Sequence, residues 1–113
     1  MIKTVIHHKI SAYGKTVRLM GKDRRLMATH ISLFTALFVQ WQHNDFISPF
    51  QVTRKELMAH SRIASIATYH KCIRELDEYR YIRYYPSYHP VKGSLVDWPE
   101  DTADSGCAGS FIK

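Results

Sequence analysis

Seven histidines, two cysteines and ten carboxylates are the side chains of this sequence able to hold a metal or move a proton, and their spacing argues against both uses. His7 and His8 are adjacent, so their side chains diverge on a helix. His30, His43, His60, His70 and His89 show neither the HExxH pattern nor the paired spacings of zinc sites. Cys72 and Cys107 are lone cysteines, so neither a zinc site nor a disulfide is expected, and Cys72 reads as a small core residue. There is no glycine-rich phosphate loop and no nucleophile paired with a base; the carboxylates clustered at Glu75, Asp77 and Glu78 suit salt bridges on a helix. No enzymatic activity, cofactor or small-molecule ligand is expected.

The residues left with a chemical task are cations and hydroxyls at helical spacing. Ser65, Thr68, His70, Lys71 and Arg74 fall close together, with Arg54 and Lys55 shortly before them and Tyr88, His89 and Lys92 after. Guanidinium and ammonium groups neutralise phosphates, while hydroxyls and imidazoles hydrogen-bond to phosphate oxygens or base edges. Charge agrees with that use. The chain carries a net +6, yet residues 99–113 hold Glu100, Asp101 and Asp104 against Lys113, leaving 15 basic against 7 acidic residues in 1–98. A chain this basic has an electrostatic reason to meet nucleic acid or an anionic membrane surface; the plain alternative is that the excess only keeps it soluble.

Those side chains need two helices and a turn to present them. Thr53-Arg54-Lys55-Glu56 has the form of a capping box, so a helix starts at Arg54 and fades near His60. After the turn Ser61-Arg62-Ile63-Ala64, Ser65 caps a second helix reaching Tyr79. Its inner face is Tyr69, Ile73, Leu76 and Arg80, and its outer face Ala67, Lys71, Arg74 and Glu78. Residues 81–85 and 94–98 have the aromatic and β-branched content of strands, and Pro86, Pro90 and Gly93 make the residues between them a loop. Helix, tight turn, basic helix and hairpin, in that order, suggest a winged helix-turn-helix, with the second helix in a DNA major groove.

The chain resembles winged helix-turn-helix proteins, and more narrowly small proteins carried on Bacteroidetes conjugative and other mobile elements. The resemblance runs from about His30 to Trp98. It is carried by His30-Ile31-Ser32-Leu33-Phe34, by Trp41, by residues 68–76, by Tyr81-Ile82, and by Pro86-Ser87-Tyr88 with Lys92-Gly93-Ser94. It implies sequence-specific binding of double-stranded DNA by a regulator, excision factor or replication accessory. The sequence departs from the usual pattern at two turns, having Ala64 and Arg80 where glycine is common. Either the backbone avoids positive φ there or the second helix runs one residue further.

The expected fold class is therefore α+β, mostly helical: a winged helix-turn-helix with three core helices, an extra N-terminal helix and a β-hairpin wing. Residues 28–44 form the core helix, on a wide stripe of Ile31, Leu33, Phe34, Leu37, Phe38 and Trp41, and Phe50-Gln51-Val52 supplies a short strand beside the hairpin. Residues 9–20 form a further helix weakened by Gly14, within a basic extension over 1–28. The winged domain spans 29–98, and the acidic tail 99–113 is expected to be disordered. The basic run Lys15, Arg18, Lys22, Arg24 and Arg25 suits either a DNA or protomer contact or a solvated face. Tyr81, Tyr84, Tyr85 and Tyr88 suit either a stacking platform for single strands or ordinary strand packing. With no apolar run long enough for a membrane span and no secretory h-region, a cytoplasmic location is expected. A homodimer on a palindromic site fits one short half-site per domain, with the N-terminal helix as the contact. The competing reading is a protein-interaction module, with the same surface docked inside a larger nucleoprotein assembly.

Overall fold

A computed structural model describes residues 2–87 and 93–99, with side chains from His7 onward, and its organising element is α2, Ala28–His43. Leu33, Phe34, Ala36, Leu37 and Trp41 of this helix are buried, and α1 (Ile2–Met20), α3 (Arg54–Ser61), α4 (Ile66–Glu78) and β1 (Phe50–Val52) all pack against it. With β2 (Arg83–Tyr85) and β3 (Ser94–Asp97) the architecture is α+β and mostly helical, four helices with one small antiparallel sheet. Among the described residues no helix is long and apolar enough to cross a membrane.

β3 is the central strand, in the order β1-β3-β2, with Phe50 opposite Val96 and Gln51 opposite Leu95 on one side and Tyr84 opposite Val96 on the other. Alternation then sorts the sheet. Phe50, Val52 and Val96 face the core, while Gln51, Leu95 and Tyr85 form an outward row. Gly93 enters β3 at φ +70, and a Cβ there would come within 2.5 Å of the Val52 carbonyl oxygen, so only glycine lets β3 lie this close to β1.

α1 is longer than the sequence pattern suggests and runs through Gly14, which faces open space. Packing outweighs the roughly 1 kcal/mol that glycine costs inside a helix. Tyr13 stacks on Phe38 at 4.0 Å and on Phe34 at 5.6 Å, Met20 is buried, and Val17 packs on the core beside them. The strand expected over 81–85 is shorter, because Tyr81 and Ile82 belong to the link leaving α4.

Both expected helix starts are present. The Thr53 hydroxyl oxygen accepts the Glu56 N–H and that of Ser65 accepts the Thr68 N–H, each at 3.2 Å. The Glu56 carboxylate accepts from the Thr53 hydroxyl and from Gln40 Nε2, which ties the cap to α2.

The helix ends correct the sequence reading. The left-handed residue before α4 is Arg62 (φ 65) rather than Ala64, and Arg80 itself takes φ 68 after a helix that stops at Glu78. Arg80 is therefore exposed and outside the helix, not on the inner face with Tyr69, Ile73 and Leu76. The reason is in the hydrogen bonds: Tyr81 N donates to the Leu76 oxygen and Arg80 N to the Asp77 oxygen, closing α4 in a Schellman motif that requires positive φ at Arg80. Because a non-glycine residue is strained there, Arg80→Gly should be neutral or stabilising by up to about 1 kcal/mol. Chemical denaturation of the two proteins checks this, and a loss above that amount would assign the Arg80 side chain a structural contact.

The loop between α1 and α2 is also tied down. The Arg25 guanidinium makes two bonds to the Asp23 carboxylate, at 2.9 and 2.7 Å, and lies 4.0 Å over the Tyr79 ring, while the Tyr81 hydroxyl donates to Asp23 at 2.6 Å. Arg25 holds the Asp23 carboxyl well below the usual range; burial, aided by Asp23, pushes the Tyr81 hydroxyl up to about 12. Within the basic run, then, Arg25 has an internal use although it is itself exposed, as are Lys15, Arg18, Lys22 and Arg24.

Candidate nucleic-acid interface

α4 and its cap present five of the residues singled out by their chemistry, Ser65, Thr68, His70, Lys71 and Arg74. Tyr69, Cys72, Ile73 and Leu76 are buried and fix the rotation of the helix, which leaves Ala67, Lys71, Arg74 and Glu78 outward and His70 exposed on a flank. Ser65 is exposed at the cap; Thr68 is half-buried on the other flank. Arg54 and Lys55 open α3 and are exposed. Tyr88, His89 and Lys92 lie outside the described residues.

α4 cannot roll easily about its axis. His30, in the first turn of α2, is buried, and its Nδ1 accepts the Met27 N–H at 2.8 Å. That nitrogen carries no proton, so Nε2–H donates to Glu75 Oε1, 2.7 Å away. Cys72 Sγ donates to the Thr29 hydroxyl at 3.3 Å, a second tie between α2 and α4. These bonds, with the apolar stripe, set the direction in which Lys71 and Arg74 point.

The same pair gives a pH signature. The hydrogen bond from His30, followed by the charges of Lys71 and Arg74, holds the Glu75 carboxyl below its ordinary range despite partial desolvation. A carboxyl with a lowered folded pKa contributes stability that is complete above its unfolded value and disappears as pH falls through the folded one. Glu75→Gln should therefore melt below the wild type near neutral pH, with the gap in thermal midpoint closing as the solution is acidified past the carboxylate range. A gap independent of pH would mean that the ionised carboxylate is not what His30 stabilises.

Cations dominate this face. Arg54, Lys55 and Arg74 enter no ion pair among the described residues, and the contact of Lys71 with Glu75 is a loose one at 3.9 Å that leaves the lysine 57% exposed. Between α3 and the start of α4 runs an open groove of about 520 Å³ lined by Arg54, Lys55, Met58, Ala59, Ile63, Ala64 and Ile66. The basic and apolar groups that line it can meet a phosphate backbone and base edges together, or an acidic protein surface.

No family model, curated protein or solved structure matches the chain. The geometry therefore stands by itself.

Of the tyrosines considered as a stacking platform, Tyr81 and Tyr84 pack against the core, and their hydroxyls bond to Asp23 and Ser94. Tyr85 is 48% exposed, and Tyr88 lies outside the described residues. Among the described residues, one ring on an open face is too little for successive bases. One residue at the site was missed from the sequence, Ile66, because apolar types are read as core. The available signal was position: Ile66 directly follows the cap Ser65 and lies off the 69, 73, 76 stripe.

Proposed function

We propose that this protein binds double-stranded DNA sequence-specifically as a winged helix-turn-helix, with α4 in the major groove and the β2–β3 hairpin as the wing. The observation that carries the reading is the exposure of Lys71 and Arg74 on the outward face of a helix that follows α3 by a tight turn and precedes a small antiparallel sheet. Ser65, Thr68 and His70 serve base edges or phosphates, Lys71 and Arg74 approach closest, and Arg54 and Lys55 clamp the flanking backbone. Tyr88, His89 and Lys92 extend that clamp from the wing. One such domain reads a short half-site, so two copies on a two-fold symmetric site is the proposed assembly. The resemblance to proteins of mobile elements points to a regulator, excision factor or replication accessory, acting in the cytoplasm.

Fluorescence anisotropy with a labelled random duplex, followed from 50 to 200 mM salt, tests the reading. The logarithm of the binding constant should fall linearly with the logarithm of salt, by about 0.9 for each phosphate neutralised. Absence of duplex binding at the low-salt end would overturn it. The apolar lining of the groove at Met58, Ile63 and Ile66 favours the second reading, a protein-docking surface within a nucleoprotein assembly. In that case the basic groups that line it select an acidic partner.

A further inference from the structure

Ile66 is the first residue of α4, and half of its surface is exposed. It takes no part in the stripe that packs the helix, since Tyr69, Cys72, Ile73 and Leu76 are all buried to 2% exposure or less. Exposure alone decides nothing, because Ile10, Leu19 and Ile47 are exposed to similar degrees and single apolar residues on a surface are ordinary. Its surroundings are what differ. Ile66 lines the groove together with Arg54 and Lys55, the small Ala67 follows it in the chain, and His70 is one turn further along α4.

We infer that Ile66 reads the 5-methyl group of a thymine, an assignment that rests on the DNA-binding reading above. The methyl of thymine is the apolar group that a base pair presents in the major groove, and the first residues of a helix docked there are the ones that reach base edges. An isoleucine suits the task because its branched Cβ holds one strongly preferred χ1 in a helix, so its methyl groups are already in place and little freedom is lost on contact. Ala67 adds no bulk that would hold the helix away from the base pairs. Arg54 and Lys55, which line the same groove, supply affinity, and the isoleucine discriminates among pyrimidines.

The test removes the same methyl group from the DNA. A duplex is selected from a randomised pool with the full chain, and each thymine in it is replaced singly by deoxyuridine, which pairs identically and lacks the methyl. Wild-type protein should lose about fourfold in affinity at one or two positions, the worth of one buried methyl. Ile66→Ala should bind the parent duplex more weakly by a similar factor, show no further loss at those positions, and keep the wild-type salt dependence. Wild-type binding that is indifferent to every deoxyuridine, a selected site without thymine, or methyl sensitivity that persists in Ile66→Ala would each overturn the assignment while leaving DNA binding intact. Failure of any duplex to bind would instead overturn the reading on which it rests.

Discussion

Trp41→Ala should destabilise the protein by about 3–5 kcal/mol, the usual cost of deleting a buried aromatic side chain. Trp41 is 7% exposed, and its ring lies 5.7 Å from Phe38, 5.0 Å from Phe46 and 5.2 Å from Trp98, with Lys9 Nζ 5.2 Å from its centroid. One side chain therefore joins α1, α2, the loop after α2 and the end of β3. Partial relief is available, because Trp41 Nε1 is buried without a hydrogen-bond partner among the described residues. Trp41→Phe keeps most of the ring contacts and removes that nitrogen, so it should lose far less than Trp41→Ala. Phe38 is half-buried, and Phe38→Ala should fall below the Trp41→Ala loss as well. Urea denaturation of the three variants measures the order. An unchanged midpoint in Trp41→Ala would mean that α2 is not the centre of the fold.

What was legible in the sequence was what local chemistry dictates. Thr53 and Ser65 announce helix starts because a hydroxyl three residues before an N–H satisfies it wherever the chain goes next, and both bonds form. The stripe through Tyr69, Ile73 and Leu76 and the alternation in β1 and β3 follow from the geometry of helix and strand, so they too could be read. Arg80 could not. Its left-handed backbone comes from the chain reversal into β2, closed by the bond from Tyr81 N to the Leu76 oxygen, and no side chain encodes it. His30 was readable only as a histidine outside any metal pattern, since its partner Glu75 lies 45 residues away. Arg25 and Lys9 look like solvated cations until the fold sets one over Tyr79 and gives the other the Phe46 carbonyl as a partner. At the candidate site the sequence picked out charge and missed Ile66, because apolar residues are read for burial first and for recognition afterwards.

Arg74→Ala and Arg54→Ala should fail in different ways, and the difference separates base readout from backbone clamping. Arg74 is on the outward face of α4, where a guanidinium can bond in bidentate fashion to the N7 and O6 of guanine; Arg54 begins α3 and lines the groove, where it can meet phosphate if the DNA-binding proposal holds. On the selected duplex Arg74→Ala should cost about 1–3 kcal/mol and relax preference at one base pair, with a smaller cost on random DNA. For Arg54→Ala the expected loss is the same on every duplex, with the magnitude of the salt slope reduced by about 1. Both residues are exposed and outside any ion pair among the described residues, so stability should move by less than about 0.5 kcal/mol in either variant, and lost binding then reports on the interface. Titrations of both variants on both duplexes, at two or more salt concentrations, provide the comparison. If Arg74→Ala lost affinity equally on selected and random DNA, α4 would be a phosphate-binding helix and specificity would have to come from DNA shape. If neither variant changed affinity, the basic groups lining the groove would face an acidic protein surface instead.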